Sequence, residues 1–324
     1  MATRREFVAS TALSAAAVAL VPLSACSQEA PPAAPVAAAA SPPSQPATAG
    51  PLLRRAIPSS GEQVPVIGMG TSGSFEVGGG DAERDPLREV LRRFVAAGAS
   101  VVDTAPTYGS AEDVLGDLVA EAGVRERVFL ATKLSGVEGR EAGLAQFEDS
   151  LRRLRTDRVE LLQVHNLGDT ATQLALAREL RQQGKVKYVG ITHFVERAHD
   201  AVAEAMQAHR PDFVQINYSP VSRGAETRIF PLARELGIAV MVNRAFEDGR
   251  LFARVKGKPL PGWAKDADAS SWAQLFLKFV VSEPAVTVVI PATSKPDNES
   301  DNLRAGVGRL LDARQRAALV AALE

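Results

Sequence analysis

Short apolar runs recur along the chain from residue 65 onward, and most of them lack alternating polar side chains. A strand with one face in water alternates, whereas a strand in a parallel sheet covered on both faces is apolar almost throughout. The pattern therefore predicts eight buried parallel strands. They lie at residues 65–70, 100–104, 128–133, 160–166, 188–192, 213–217, 239–243 and 286–291.

Amphipathic segments separate these runs, with apolar residues every three or four positions, as on one face of a helix. One such face consists of Leu144, Phe147, Leu151 and Leu154. Strands that alternate with helices predict an α/β fold, namely a (β/α)8 TIM barrel. A doubly wound sheet is the alternative, but residues 68–80 (GMGTSGSFEVGGG) match its glycine-rich phosphate turn poorly. Residues 52–65 contain a Ser-Gly turn and are expected to form an N-terminal hairpin that closes the barrel bottom.

The first fifty residues differ in composition from the rest. Residues 1–26 contain Arg4-Arg5, then small apolar residues, and end at Cys26. The stretch TRREFV resembles a twin-arginine signal peptide, and LSAC resembles the processing site of bacterial lipoproteins, whose cysteine carries lipid. Cleavage by an ordinary signal peptidase, with Cys26 incidental, is the alternative. Residues 27–50 are rich in Pro and Ala and predict a disordered linker, which leaves residues 51–324 for the barrel.

Charge and composition exclude several classes of partner. The 37 basic and 38 acidic residues nearly balance, and no basic stripe marks the barrel, so we expect no nucleic-acid binding. A single cysteine cannot form a disulfide within the chain or a cysteine-based metal site. The four histidines lack the spacing of a zinc motif, so no metal is expected.

Four polar residues stand at or just after the ends of predicted strands, where the chemistry of such barrels lies. They are Asp103, Tyr108, Lys133 and His165. Each alone has a structural explanation: the acid as a helix cap, the phenol as a rim residue, the imidazole as a core hydrogen-bonding group. The lysine is harder to explain, because a buried ammonium needs a partner. Together they predict one site at the barrel mouth.

The chemistry of this set suits the delivery of a proton to a developing alkoxide. A phenol has an ordinary pKa of about 10, and a nearby ammonium favours its ionised form. A carboxylate keeps that ammonium charged and in place, and an imidazole can donate a hydrogen bond to the substrate oxygen. A carbonyl that receives this proton also needs a hydride, which a nicotinamide supplies.

The same residues resemble the catalytic tetrad of the aldo-keto reductases. The matching positions are Asp103, Tyr108 and Gly109 in DTAPTYG, then Lys133, then His165-Asn166. The resemblance covers the whole barrel segment and extends to residues 214–218 (VQINY) and 290–296 (IPATSKP). It implies Tyr108 as the proton donor and NADP as the cofactor, with NAD left open. The cofactor contacts that it implies are Gly70, Thr71, Asn166, Thr192, Gln215, Asn243, Thr293, Ser294, Lys295 and Asn302.

Three positions depart from the family pattern. Thr192-His193 stands where the family usually has a Ser-Asn pair beside the nicotinamide carboxamide. Asn243, or Arg244, stands where the family usually stacks an aromatic ring. Ala292 and Asn298 replace basic residues that usually hold the 2′-phosphate of NADP, and Lys295 is the candidate to compensate.

The sequence thus predicts an exported oxidoreductase that interconverts an aldehyde or ketone and its alcohol. We expect a monomer that uses the twin-arginine machinery and acts in the periplasm, either free or anchored in the membrane through lipid on Cys26. Its partner is a small carbonyl compound. The alternatives are a regulatory or binding module on the same fold with little turnover, and a lyase that forms a Schiff base on Lys133.

Overall fold

The computed structural model describes residues 50–324. The predicted signal peptide, Cys26 and all of the linker before Gly50 lie outside the described residues. The described chain opens with an antiparallel hairpin of β1 (Arg54–Ala56) and β2 (Gln63–Pro65), in which Arg54 lies opposite Pro65. The hairpin predicted for residues 52–65 is present.

Eight parallel strands follow and lie side by side in sequence order, with each strand paired to the next. Gly68 N–H donates to the carbonyl of Val289 at 2.8 Å, and bridges Ile67–Val289 and Gly70–Ala292 join the first strand to the last. The sheet therefore closes on itself, and the predicted (β/α)8 barrel is confirmed. The strands are β3 (Met69–Gly70), β4 (Val101–Asp103), β5 (Phe129–Leu134), β6 (Val159–His165), β7 (Val186–Thr192), β8 (Phe213–Asn217), β9 (Ala239–Asn243) and β10 (Val286–Val289).

Helices connect the strands and cover the outside of the barrel. Gly98, Gly123 and Gly237 follow helix ends with φ of 81°, 63° and 66°, a conformation that glycine adopts without strain. No helix among the described residues has the length and apolar character needed to cross a bilayer. The helices are α1 (Asp81–Ala96), α2 (Ala111–Glu121), α3 (Arg140–Arg153), α4 (Thr170–Gln182), α5 (His199–His209), α6 (Ile229–Leu236), α7 (Arg250–Arg254), α8 (Trp272–Val281), α9 (Pro296–Arg304) and α10 (Ala313–Leu323).

Aromatic side chains fill the barrel at the end where the strands begin. Phe129, Tyr188 and Phe213 lie with ring centres 5.7–6.0 Å apart, and Ile57 of the hairpin packs into the same buried cluster. The Tyr188 hydroxyl donates to Ser60 Oγ at 2.6 Å, which ties the hairpin turn to β7. This end of the barrel is closed, so access is from the opposite end.

The hairpin also holds the start of the described chain against the closed end. Leu53 N–H donates to the carbonyl of Gly306 at 2.7 Å, just beyond the end of α9. The Arg55 guanidinium donates to the carbonyl of Glu283 at 2.8 Å, just before β10. One backbone contact and one side-chain contact thus attach the hairpin to segments near the last strand.

Glu299 on α9 is fully buried, and neither of its carboxyl oxygens has a hydrogen-bond partner. Burial raises the pKa of this carboxyl from 4.5 to about 8. The folded chain therefore keeps a proton that the unfolded chain releases above pH 4.5, and the resulting stabilisation is lost as the pH rises toward 8.

We expect Glu299→Gln to remove this pH dependence. Between pH 5 and 8, the free energy of unfolding of the wild type should fall relative to that of the variant, by an amount on the order of 4 kcal/mol. Urea denaturation at several pH values measures the difference. Glu138→Gln, at an exposed position, is the matched control. If the free energy of unfolding changed equally with pH in the wild type and in Glu299→Gln, the carboxyl would be ionised in the folded protein.

Candidate active site

A cavity of about 730 Å³ lies at the open end of the barrel, where the strands end. Most of the residues predicted for the site line it. Thr293 and Asn302 line a neighbouring cavity, whereas the exposed side chains of Ser294 and Lys295 line neither. The cofactor contacts of all these residues stay predictions. The predicted residues on the main cavity are Gly70, Thr71, Asp103, Tyr108, His165, Asn166, Thr192, Gln215 and Asn243.

Lys133, at the end of β5, is completely buried beneath the cavity. Its Nζ donates to Asp103 Oδ2 and to the carbonyl of Thr104, both at 2.7 Å, and lies 4.9 Å from the centre of the Tyr108 ring. Burial alone would lower the pKa of Lys133, but the Asp103 carboxylate and the Tyr108 phenol outweigh it and raise that pKa. A permanent ammonium is thus held against the phenol.

Two glutamines hold the other oxygen of Asp103. The side-chain amides of Gln163 and Gln215 each donate to Asp103 Oδ1 at 2.9 Å. Gln163 was not predicted, although it stands as a polar residue within the apolar run of β6. A buried side-chain amide in the middle of a strand needs hydrogen-bond partners, so the position of Gln163 in the sequence could have indicated that it belongs to the site. The carboxylate is therefore fully oriented before any ligand binds.

His165, at the end of β6, faces Tyr108 edge-on, with ring centres 6.1 Å apart. Its Nδ1 lies 2.6 Å from Ser135 Oγ, a contact that the sequence did not predict. Burial, together with the positive charge of Lys133, lowers the pKa of His165 to about 4. The imidazole is therefore neutral at physiological pH and carries a single N–H.

Side chains from β7, β8 and β9 form a linked polar group on the far side of the cavity. Gln215 Oε1 accepts from Thr192 Oγ1 at 3.1 Å and from Asn243 Nδ2 at 3.2 Å. Asn243 Oδ1 is buried but has no partner. His193 instead turns away: its Nδ1 accepts from the N–H of Phe194, and it is not among the residues that line the cavity. The His193 side chain therefore contributes no group to the cavity wall.

Aromatic side chains that the sequence analysis did not single out form the cavity rim. Phe194 and Phe252 are each 40% exposed. The Arg244 guanidinium lies 5.3 Å from the centre of the Phe194 ring and forms an ion pair with Asp248. All four line the cavity, as does Phe246. Exposed aromatic side chains beside a cavity are typical of a surface that binds a flat organic group.

A second cavity, of about 430 Å³, adjoins the first and shares Phe246, Phe252 and Ala292 with it. The side chains around it are mostly aromatic or uncharged and polar, and none of those described is a lysine or arginine. The two adjoining cavities are called the groove below. The other residues of the second cavity are Ser271, Trp272, Ala273, Thr293, Asn298, Asp301 and Asn302.

The chemistry available at this mouth is proton transfer. Within residues 50–324, no three His, Cys, Asp or Glu side chains lie close enough together to hold a metal ion. The groups that do converge are a phenol, an ammonium paired with a carboxylate, and a neutral imidazole. Such a set stabilises an oxygen on which negative charge develops.

Comparison with known proteins gives a consistent assignment. The model of the aldo/keto reductase family matches residues 66–324. The chain is 28% identical over 217 residues to the aldo-keto reductase YhdN of Bacillus subtilis, a match that spans 62% of this chain and 64% of that protein.

Two solved structures have the same fold. An aldo/keto reductase from Klebsiella pneumoniae, in complex with NADP and acetate, superposes with a TM-score of 0.68 at 26% identity, covering 80% of this chain and 91% of that one. The aldo-keto reductase AKR11C1 from Bacillus halodurans, in its holo form, superposes with a TM-score of 0.66 at 22% identity. That match covers 84% of this chain and 96% of that one. This chain therefore belongs to the aldo/keto reductase family.

Proposed function

We propose that the protein reduces an aldehyde or ketone to an alcohol, or catalyses the reverse reaction, with NADP(H). The observation that carries the proposal is the contact of Lys133 Nζ with Asp103 at 2.7 Å and with the Tyr108 ring at 4.9 Å, at the floor of the groove. A Schiff-base lyase is disfavoured, because the Lys133 amine is fully buried, charged and paired, whereas a Schiff base needs a free neutral amine.

The groove fits a nicotinamide dinucleotide. Asn243 Oδ1 is a buried acceptor without a partner, and the N–H2 of a nicotinamide carboxamide is a suitable donor for it. Thr192, Gln215 and Asn243 would hold that carboxamide, and Trp272, Thr293 and Asn302 would hold the adenosine end. NADP is found in the Klebsiella relative. NAD is the second candidate, because no lysine or arginine lines the second cavity as described.

Each residue has a distinct task in the proposed reduction. When bound, the nicotinamide supplies the hydride. Tyr108 gives its phenolic proton to the carbonyl oxygen, and the Lys133 ammonium stabilises the phenolate that remains. Asp103 keeps Lys133 charged and in position. His165 donates its one N–H to the same oxygen and so orients the carbonyl.

Titration of the full-length protein with NADPH and with NADH tests this function. Trp272 lines the second cavity, so its fluorescence should change when a dinucleotide binds. Oxidation of the reduced cofactor is then followed with a panel of aldehydes and ketones. Failure to bind either nucleotide would exclude the proposal, and binding without turnover across the panel would favour the regulatory or binding module.

We also propose that the enzyme is exported and anchored through lipid on Cys26, as the sequence LSAC suggests. A Cys26→Ala variant should then move from the membrane fraction to the soluble periplasmic fraction, since it lacks the acylated residue. Immunoblotting of cell fractions measures this, with Ser24→Ala as a neighbouring control. A Cys26→Ala protein that stays in the membrane fraction would rule out the anchor.

A further inference from the structure

Two hydroxyl groups connect His165 to the loop that carries Tyr108. Ser135 Oγ lies 2.6 Å from His165 Nδ1 and 3.2 Å from Thr107 Oγ1. Thr107 immediately precedes Tyr108, and Ser135 lies one residue beyond β5. The chain of contacts therefore runs from the loop that carries the proposed proton donor to Nδ1 of the imidazole.

The backbone of Ser135 is held in place from α3. Its N–H donates to Gln146 Oε1 at 2.7 Å, and its carbonyl accepts from Gln146 Nε2 at 2.9 Å. The Ser135 residue is only 8% exposed. Because both backbone groups are fixed, the position of Oγ depends on rotation about the Cα–Cβ bond, and its contacts with His165 and Thr107 favour the observed rotamer.

That hydrogen determines which nitrogen of His165 carries the proton. A neutral imidazole has one N–H and one bare nitrogen. If Ser135 donates to Nδ1, then Nε2 carries the proton, and Ser135 Oγ can accept from Thr107. If Nδ1 carries the proton and donates to Ser135, then Nε2 is bare and cannot donate to a substrate oxygen.

We propose that Thr107 and Ser135 are positioning residues that hold His165 with its proton on Nε2, by hydrogen bonds that run from Thr107 to Ser135 to Nδ1. The inference rests on the proposed reduction, in which the carbonyl oxygen gains negative charge and needs a second donor beside Tyr108. Neither Thr107 nor Ser135 is among the residues that line the cavity, so both would act through the imidazole.

Nitrogen NMR of the ligand-free, full-length protein labelled with ¹⁵N-histidine tests the proposal directly. A His165→Gln spectrum assigns the two ring nitrogens. In the wild type, Nε2 should be protonated and Nδ1 should be a bare nitrogen whose shift shows an accepted hydrogen bond. In Ser135→Ala that shift should change, because the donor is gone, and Ser135→Thr should restore it. A proton on Nδ1 in the wild type, or an unchanged spectrum in Ser135→Ala, would overturn the proposal.

Kinetics give an independent measurement. We expect kcat to fall roughly tenfold in Ser135→Ala, about the value of one such hydrogen bond, with Kd for the cofactor unchanged. Ser135→Thr should retain most activity, and Thr107→Val should lose roughly two- to threefold, since Ser135 can still donate. Equal kcat values for Ser135→Ala and wild type would also count against the positioning role. If the wild type reduces no carbonyl, the proposed function fails, but the spectrum still locates the proton on His165.

Discussion

A Tyr108→Phe variant should lose carbonyl reduction by roughly 10²- to 10⁴-fold in kcat, the usual contribution of a positioned general acid. The substitution removes the phenolic proton but keeps the ring, so the edge contact with His165 and the position above Lys133 can persist. NADPH oxidation with the best carbonyl of the panel measures the loss, and the Trp272 fluorescence titration should give an unchanged Kd.

Tyr188→Phe is the matched control, because it removes a hydroxyl at the closed end of the barrel. That hydroxyl contacts Ser60 and Glu62, far from the cavity lining. Its kcat should stay within about twofold of wild type, as expected of a residue without a part in the chemistry. Near-normal turnover by Tyr108→Phe would show that another group delivers the proton.

Lys133→Met should destabilise the fold by roughly 3–5 kcal/mol and abolish activity. The substitution leaves the Asp103 carboxylate buried without its ion-pair partner, and removal of one member of such a pair is costly. Asp103→Asn/Lys133→Met should regain most of the stability, because the asparagine oxygen can still accept from Gln163 and Gln215. It should not regain activity, since no ammonium remains beside Tyr108.

Urea denaturation and NADPH oxidation measure the two effects separately. Lys278→Met is the matched control: Lys278 is also completely buried, but its Nζ donates to the carbonyls of Val307 and Arg309 instead of a carboxylate. That variant should keep its activity in whatever fraction remains folded. A double variant no more stable than Lys133→Met would show that the unpaired carboxylate is not the cause of the loss.

The barrel could be predicted because its strands are apolar on both faces. All eight runs found in the sequence became strands, although β3 is reduced to Met69–Gly70. The predicted run at 65–70 is longer than β3 because it includes residues that belong to other elements. Pro65 is the last residue of the hairpin strand β2, and Ile67 pairs with the last strand only through an isolated bridge. Hydropathy alone does not distinguish a hairpin strand, an isolated bridge and a barrel strand, because the side chains are buried in all three.

The proximity of the four candidate catalytic residues could be predicted because charged or polar groups at the ends of apolar strands are rare without a partner. The contact of Ser135 with His165 could not be predicted, because it joins a side chain just beyond β5 to one at the end of the neighbouring strand β6. The orientation of the His193 side chain could not be predicted either, because it depends on a local contact with the N–H of Phe194. Side-chain direction in loops is determined by such contacts, which composition and spacing do not reveal.

The hairpin at the closed end has a consequence for access. Through Leu53 and Arg55, the described chain enters the barrel beside Gly306 and Glu283, at the end opposite the catalytic cavity. The first described residues and the opening of the cavity therefore lie at opposite ends of the barrel. Substrate and nucleotide can then reach the groove without passing the hairpin or the first described residues.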